Sequence, residues 1–332
     1  MCDLFRRGCF AKGTDVQGGS STSPDPGDTP ARSPGANGPL HRGRRAGASD
    51  FVRFRQQHTG SCEPLRGQGG SLNCGVGRTT GVLYVPENDR IVVANSGDGK
   101  VRVYNGTSFD LVKTLDFGKD PDNIRYDQLG KKIYVGYGED ETGAIGIIDA
   151  TTYERLKGDY NLGGGHPESF QLEMSGPKIF ANDPDGGNVT LAINRGTSEV
   201  SKWQLNGNRF NFPMALDERD HRLFVGTRRP SKLIVLNTQT GDMVTALTCA
   251  GDADDMYYDA HSKRIYVIGG EGVISVFQQR DPDHYLLRAT IPSSIGARTG
   301  FYFPTHDTDR LYVAVPSHAG QIAELWVYEV QD

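Results

Sequence analysis

The chain has 332 residues, 23% of them charged, a formal net charge of −5 and five cysteines. The charge is uneven: residues 1–80 carry 11 Lys/Arg against 6 Asp/Glu, a net +5, and residues 81–332 carry 25 against 35, a net −10. An acidic main body argues against a nucleic-acid partner, no apolar run approaches a membrane span, and only Cys249 lies beyond residue 80, so the body holds no internal disulfide.

Residues 1–80 read as a low-complexity leader. They contain 15 Gly but only 11 residues from Leu, Ile, Val, Phe, Tyr and Trp, too little apolar mass to offset chain entropy. The start, MCDLFRRGCFAKG, lacks the apolar stretch of a secretory signal, so the chain as written is expected in the cytoplasm. Gly75, Gly77 and Gly81 have the wrong spacing for a dinucleotide-binding fingerprint.

From residue 81 to 332 the chain is a series of short β-rich runs separated by Gly, Pro, Asn and Asp, the pattern of antiparallel hairpins. Six units follow, at about Gly81–Phe117, Pro121–Leu162, Pro167–Leu205, Phe212–Leu247, Ala253–Ile291 and Ala297–Val330. The clearest spans residues 211–247, with strands predicted at Met214–Asp217, Arg222–Thr227, Lys232–Asn237 and Met243–Leu247. The second strands of the units read RIVVANS, KKIYVGYG, PKIFANDP, HRLFVGTR, KRIYVIGG and DRLYVAVP. Their first Ile or Leu falls at 91, 133, 179, 223, 265 and 311, spacings of 42, 46, 44, 42 and 46 residues. Four strands per unit at this period predict a β-propeller, because radial stacking buries both faces of each sheet. Trp203, Trp326 and the recurrent Tyr and Phe of the second strands are expected to pack between blades.

The segment VVANSGDGKVRVYN, residues 92–105, is similar to the strand–turn–strand core of the YVTN repeat. DPDNIRYD, GHPESFQLE, NFPMALD, GDADDMYYD and GARTGFYFP look like signature segments of a bacterial, usually exported subgroup of the YVTN-repeat (YncE-like) family. The resemblance covers residues 81–332 and implies an all-β fold, a seven-bladed β-propeller, from an exported or periplasmic parent. Six blades are clear in the sequence, so the first is expected to be degraded or frameshifted. Back-translating residues 38–75 with a one-base shift and suitable synonymous codons spells DHFTVDV…GNNTLEVVNL…GKVVHSI, a string similar to the family's first blade. The last unit shows three strands before Asp332. Family propellers close by lending that blade an N-terminal strand. Here the donor segment reads as coil, leaving two exposed sheet edges.

The loops that lead into the first strands carry the unusual chemistry. Radial repetition should gather them in a ring at one end of the channel. Asp122, Glu168, Asp254 and Asp255 are candidate oxygen ligands for a divalent cation such as Ca2+, with His166 and Asn211 beside them. Arg228, Arg229, Lys232, Arg298 and Arg125 are candidates to grip an anion, because a guanidinium binds carboxylate or phosphate bidentately. Both sets could instead cap their own turns or face solvent. Asp183 to Asn188 resembles the start of a calcium loop, but the position for a bidentate Glu is Asn194, so it reads as a hairpin turn.

No GxSxG elbow or HExxH motif is present, and no residue is nominated as catalytic. The expected function is a non-catalytic binding scaffold, with His166, Glu168, Asn211, Asp254, Asp255, Arg228 and Arg298 around a small molecule, metal ion or protein segment. The alternatives are a metal-dependent hydrolase of the propeller lactonase kind, with Glu168, Asp254 or Asp255 as base, and a protein-interaction platform. A monomer is expected.

Overall fold

The computed structural model describes residues 78–304, 309–318 and 322–330, together with the backbone of residues 51–57. The described chain is almost entirely strand and turn. Strand β1 is Phe51–Gln57; sheet I comprises β2 (Thr79–Val85), β3 (Arg90–Asn95), β4 (Lys100–Asn105) and β5 (Leu111–Asp116). Sheet II comprises β6 (Ile124–Asp127), β7 (Lys132–Tyr137), β8 (Ala144–Asp149) and β9 (Tyr160–Asn161). Sheet III comprises β10 (Phe170–Leu172), β11 (Lys178–Asp183), β12 (Val189–Asn194) and β13 (Val200–Gln204). Sheet IV comprises β14 (Arg209–Asp217), β15 (Arg222–Arg229), β16 (Ser231–Asn237) and β17 (Met243–Thr248). Sheet V comprises β18 (Ala253–Asp259), β19 (Arg264–Gly269), β20 (Glu271–Asp281) and β21 (His284–Ile295). Sheet VI comprises β22 (Thr299–Phe303), β23 (Arg310–Val315) and β24 (Glu324–Val330), with β1 as its fourth strand.

Each sheet is antiparallel and follows chain order, apart from β1. The turn before the second strand repeatedly puts a non-glycine residue in the left-handed region: Asp89, Lys131, His221 and Lys263, with φ of 51°, 49°, 54° and 54°. The turn after the third strand is an Asx turn in five sheets. Asn105, Asp149, Asn194, Asn237 and Asp281 each accept a backbone N–H two residues on.

The second strands are buried on both faces, as the radial stack requires. Apolar clusters join sheet I to II (Val103 with Ile133), II to III (Tyr134 with Ile179), III to IV (Phe180 with Val225), IV to V (Phe224 with Val267) and V to VI (Ile268 with Val313). A sixth cluster, Ile91, Val93 and Tyr104, comes from sheet I alone. Among the described residues no apolar cluster joins sheet VI to sheet I.

Two expectations are corrected. Six four-stranded sheets are present among the described residues, not seven blades. The count of seven came from the resemblance to the YVTN family, with the first blade sought in a shifted-frame string over residues 38–75, and only Phe51–Gln57 of that span falls within the described residues. Those seven residues pair with β24, from Phe51 opposite Val330 to Gln57 opposite Glu324, so the last blade does receive an N-terminal strand. FVRFRQQ contains no Gly or Pro. Strand addition needs little more than that, since main-chain hydrogen bonds carry it, and an average over 80 residues concealed it. Residues 1–50 and 58–77 of the leader, including Cys2, Cys9, Cys62 and Cys74, lie outside the described residues, and Thr79 and Thr80 belong to β2. No helix among the described residues is long and apolar enough to cross a membrane.

Candidate functional site at the channel mouth

The first strands β2, β6, β10, β14, β18 and β22 are innermost in their sheets, and successive ones from β2 to β22 lie against each other. Val82 on β2 is nevertheless 61% exposed and Phe301 on β22 is 38% exposed, so the axis between them is open. Its mouth is built by the loops leading into these strands and by the turns between second and third strands.

One half of the mouth is carboxylate and imidazole. Backbone bonds tie its loops to the second strands: Asp122 N–H donates to Gly136 O (2.9 Å), Gly138 N–H to Lys119 O (2.8 Å) and Glu168 N–H to Asn182 O (3.1 Å). Gly81 and Gly165 permit the close approach. A Cβ on Gly81 would strike the Asp122 carbonyl, and one on Gly165 would come within 2.8 Å of Gly186 N. His166, buried, shares a 2.7 Å hydrogen bond between Nδ1 and Gly138 O; the carbonyl can only accept, so Nδ1 carries the proton. Its Nε2 faces Asp122 Oδ2 at 3.8 Å and its Nδ1 lies 3.9 Å from Asp120 Oδ2, ion-pair distances rather than hydrogen bonds. Burial alone would lower its pKa. Asp122, the Gly138 carbonyl, Glu168 and Asp120 outweigh burial and push the imidazole up to about 9. Burial pushes Glu168 up to about 7; His166 opposes the rise, and Asp122, Asp254 and Asp185 reinforce it. Asp183 is fully buried at the end of β11. Its Oδ1 accepts Gly186 N–H at 2.7 Å, its Oδ2 has no partner, and burial raises its pKa.

The other half pairs arginine with aspartate. Arg228, at the end of β15, hydrogen-bonds Asp254 and the Ala253 carbonyl (3.2 Å), lies 3.4 Å from Asp252, and stacks over Phe212 with its guanidinium carbon 3.9 Å from the ring centroid. Arg298 donates to both oxygens of Asp252 (2.8 and 3.0 Å) and pairs with Asp254 at 2.7 Å. Burial still raises the Asp254 pKa against the pull of Arg228 and Arg298. Deeper in the channel, Asp255 accepts Gly300 N–H (2.8 Å), and Tyr257 donates to Gly300 O (2.6 Å). Burial pushes Asp255 up to about 7 despite the Gly300 bond, with Asp254 adding to the rise and Arg125 opposing it.

Of the residues expected at the mouth, Asp122, His166, Glu168, Asp254, Arg228 and Arg298 are brought there, and Asp255 lies below them in the channel. Asn211 is not on its surface. It is fully buried at the β14 bulge, where its Nδ2 donates to Val189 O (2.9 Å) and its Oδ1 has no partner. Arg229 turns away and lies over Phe210, 5.2 Å from the ring centroid, and Lys232 donates to Thr248 Oγ1. The 183–188 segment is the expected hairpin turn, but it also delivers Asp183 and Asp185. Asp252, Asp120 and Phe212 complete the set. They lie in the loops singled out by sequence, and only the fold shows that they converge. Among the described residues, no three His, Cys, Asp or Glu side chains are grouped to hold a metal ion.

No protein-family model matches the chain, and no curated protein matches it. Among solved structures, it is similar to a chain of a crystal structure of the mitotic checkpoint complex. The alignment covers 76% of this chain and 75% of that one, with a TM-score of 0.63 and 15% identity. At this identity the likeness carries the fold: the chain is a β-propeller with WD40-like architecture.

Proposed function

We propose that the protein is a non-catalytic binding scaffold whose channel mouth receives the positively charged group of a small polar ligand. The observation that carries this reading is an excess of carboxylate. Eight carboxyl groups, from Asp120 to Asp255, influence the mouth, against His166, Arg125, Lys202, Arg228 and Arg298. Buried like charges repel, and a bound cation relieves them. The anion reading is weaker, because Arg228 and Arg298 are already held by Asp252 and Asp254. A metal-dependent hydrolase is also less well supported. Its four carboxylates face different partners: Asp254 the two arginines, Asp255 the Gly300 amide, and Asp122 and Glu168 the imidazolium. The similarity of residues 92–105 to the YVTN repeat supports placing the chain among YVTN-type propellers.

The test is a thermal-shift and calorimetric screen of alkyl amines, guanidines, Ca2+, sugar acids and phosphates. Amines or guanidines should stabilise the protein, and Glu168→Gln with Asp254→Asn should remove the effect. Stabilisation by sugar acids or phosphates alone, lost in Arg228→Ala, would overturn the reading. Stabilisation by Ca2+ alone would return the site to the metal class.

A further inference from the structure

The cleft at the opposite end, about 260 Å³ and lined by Glu173, Ser175, Lys178, Glu218, His221 and Gln239, has its charges committed. Glu218 accepts the N–H groups of Met174 and Ser175, and Lys178 Nζ donates to Thr238 O (2.6 Å). Arg125, inside the channel, is different. It is the second residue of β6, enclosed by protein yet with part of its surface on the channel. Its guanidinium carbon lies 5.4 Å from the Phe170 ring centroid, and its one hydrogen bond among the described residues runs from Nη1 to the Ile124 carbonyl at 3.0 Å. No carboxylate among the described residues pairs with it. Asp255, Tyr257 and Asp122 act on it from a distance, and burial lowers its pKa. An arginine has five N–H donors. None of its nitrogens is a sealed orphan, so the unused donors open on the channel. Arg228 and Arg298, by contrast, are each paired with Asp252 and Asp254.

We propose that Arg125 anchors the carboxylate of a basic α-amino acid whose side-chain cation sits at the mouth. The proposal rests on the cationic-group reading above and extends it. A guanidinium with unused donors in an enclosed channel matches a carboxylate bidentately. Asp255, on the other side of the axis, is placed to take the α-ammonium. Asp122 precedes Arg125 by three residues, roughly 10 Å along an extended chain. An extended arginine or lysine with its terminal hydrogen bonds covers that span. The side-chain cation then meets Glu168, Asp122 and Asp254, and the ligand's net positive charge suits the carboxylate excess. The Phe170 ring beside the Arg125 guanidinium restricts its side chain, which limits the entropy lost on binding.

Calorimetry with L-arginine and with agmatine, its decarboxylated form, on the full chain and on Arg125→Met tests this. The full chain should bind L-arginine at least as tightly as agmatine, despite agmatine's higher positive charge. Arg125→Met should lower the arginine-to-agmatine affinity ratio about ten-fold or more, the worth of one charged hydrogen-bond pair. Arg125→Lys should lie between, with charge retained and the bidentate fork lost. Agmatine binding more tightly than arginine to the full chain overturns the proposal with no variant needed. A ratio unchanged in Arg125→Met and Arg125→Lys overturns it too. In both cases the mouth reading survives. If neither ligand binds, the proposal and the mouth reading fall together.

Discussion

The two ends of the propeller carry similar residue types and treat them in opposite ways. At the end away from the mouth, Asp127, Asp217 and Asp259 close the first strands of sheets II, IV and V. Each accepts backbone N–H groups of the following turn: Gly130, Asp220, and His261 with Ser262. Their remaining capacity goes to neighbours. Arg195 donates to Asp127 (3.0 Å) and also reaches the carbonyls of Glu173 and Gly176 (2.5 Å each). Tyr258 donates to Gln279 Oε1 (2.6 Å) and lies 3.0 Å from Asp217 Oδ2, which accepts Gln279 Nε2–H at 2.9 Å. At the mouth and in the channel below it, carboxylates crowd one another, Asp183 Oδ2 has no partner, and Glu168 and Asp255 are pushed up to about 7. A satisfied polar network specifies and stabilises a fold. Carboxylates held against their own repulsion are what a binding site presents to its ligand. The same blade repeat therefore builds one end whose polar groups are paired and one end whose carboxylates crowd.

The sharpest way to break this contrast is to disturb the satisfied end. Asp217→Ala removes the carboxylate that accepts Nε2–H of the buried Gln279 side chain and takes a neighbour from Tyr258. The expected loss is about 2–4 kcal/mol, read as a fall in denaturation midpoint; a loss below about 0.5 kcal/mol would show the network to be ornamental.

Next comes Glu168→Gln, where the effect depends on pH. A carboxyl whose folded pKa is raised from 4.5 to about 7 binds its proton more tightly in the folded state. Its contribution is therefore fully present below the unfolded value and is lost as pH rises through about 4.5 to 7. Wild type should lose stability across that window, and Glu168→Gln should lose less. His166, raised from 6.5 to about 9, contributes stability that is lost as pH rises from about 6.5 through 9, so His166→Gln should flatten that limb. Melting curves from pH 4.5 to 9.5 test both. Identical slopes in wild type and variants would remove the electrostatic basis of the contrast.

A smaller effect belongs to Arg298→Ala. The side chain is 43% exposed and its partner Asp252 is 40% exposed, so its two ion pairs should contribute about 0.5–1 kcal/mol to stability. Ligand binding at the mouth should respond more than the melting temperature does. Smallest of all, the Cys249 thiol is pushed up to about 12 by burial, so alkylation at neutral pH should proceed far more slowly than that of an exposed cysteine. Rapid labelling of Cys249 in the folded protein would contradict its enclosure.

The fold was legible because its signal repeats. The second strands begin at Arg90, Lys132, Lys178, Arg222, Arg264 and Arg310, each within one residue of the positions read from the sequence. The strand that completes the last sheet was not legible, because seven β-capable residues sit inside a Gly-rich leader. The mouth was legible loop by loop, since Asp122, His166 and Glu168 precede first strands and Asp254 stands at the start of one. Side-chain direction was not. Arg228 and Arg229 are neighbours on one strand and so project to opposite faces; one meets Asp254, the other Phe210. Asn211 sits at a bulge that turns it inward, and no local pattern marks that. The spare donors of Arg125 became visible only when its neighbours across the channel were known.

The most direct measurement is a carboxyl 13C NMR titration of Glu168, assigned by comparison with Glu168→Gln, with and without a saturating amine or guanidine. The expected midpoint is near 7 in the free protein, and it should move down when the cation binds, because the added positive charge favours the carboxylate. A midpoint near the ordinary 4.5 in the free protein, unmoved by any cation, would show that the mouth carries no excess negative charge and would contradict its role as a binding site for cations.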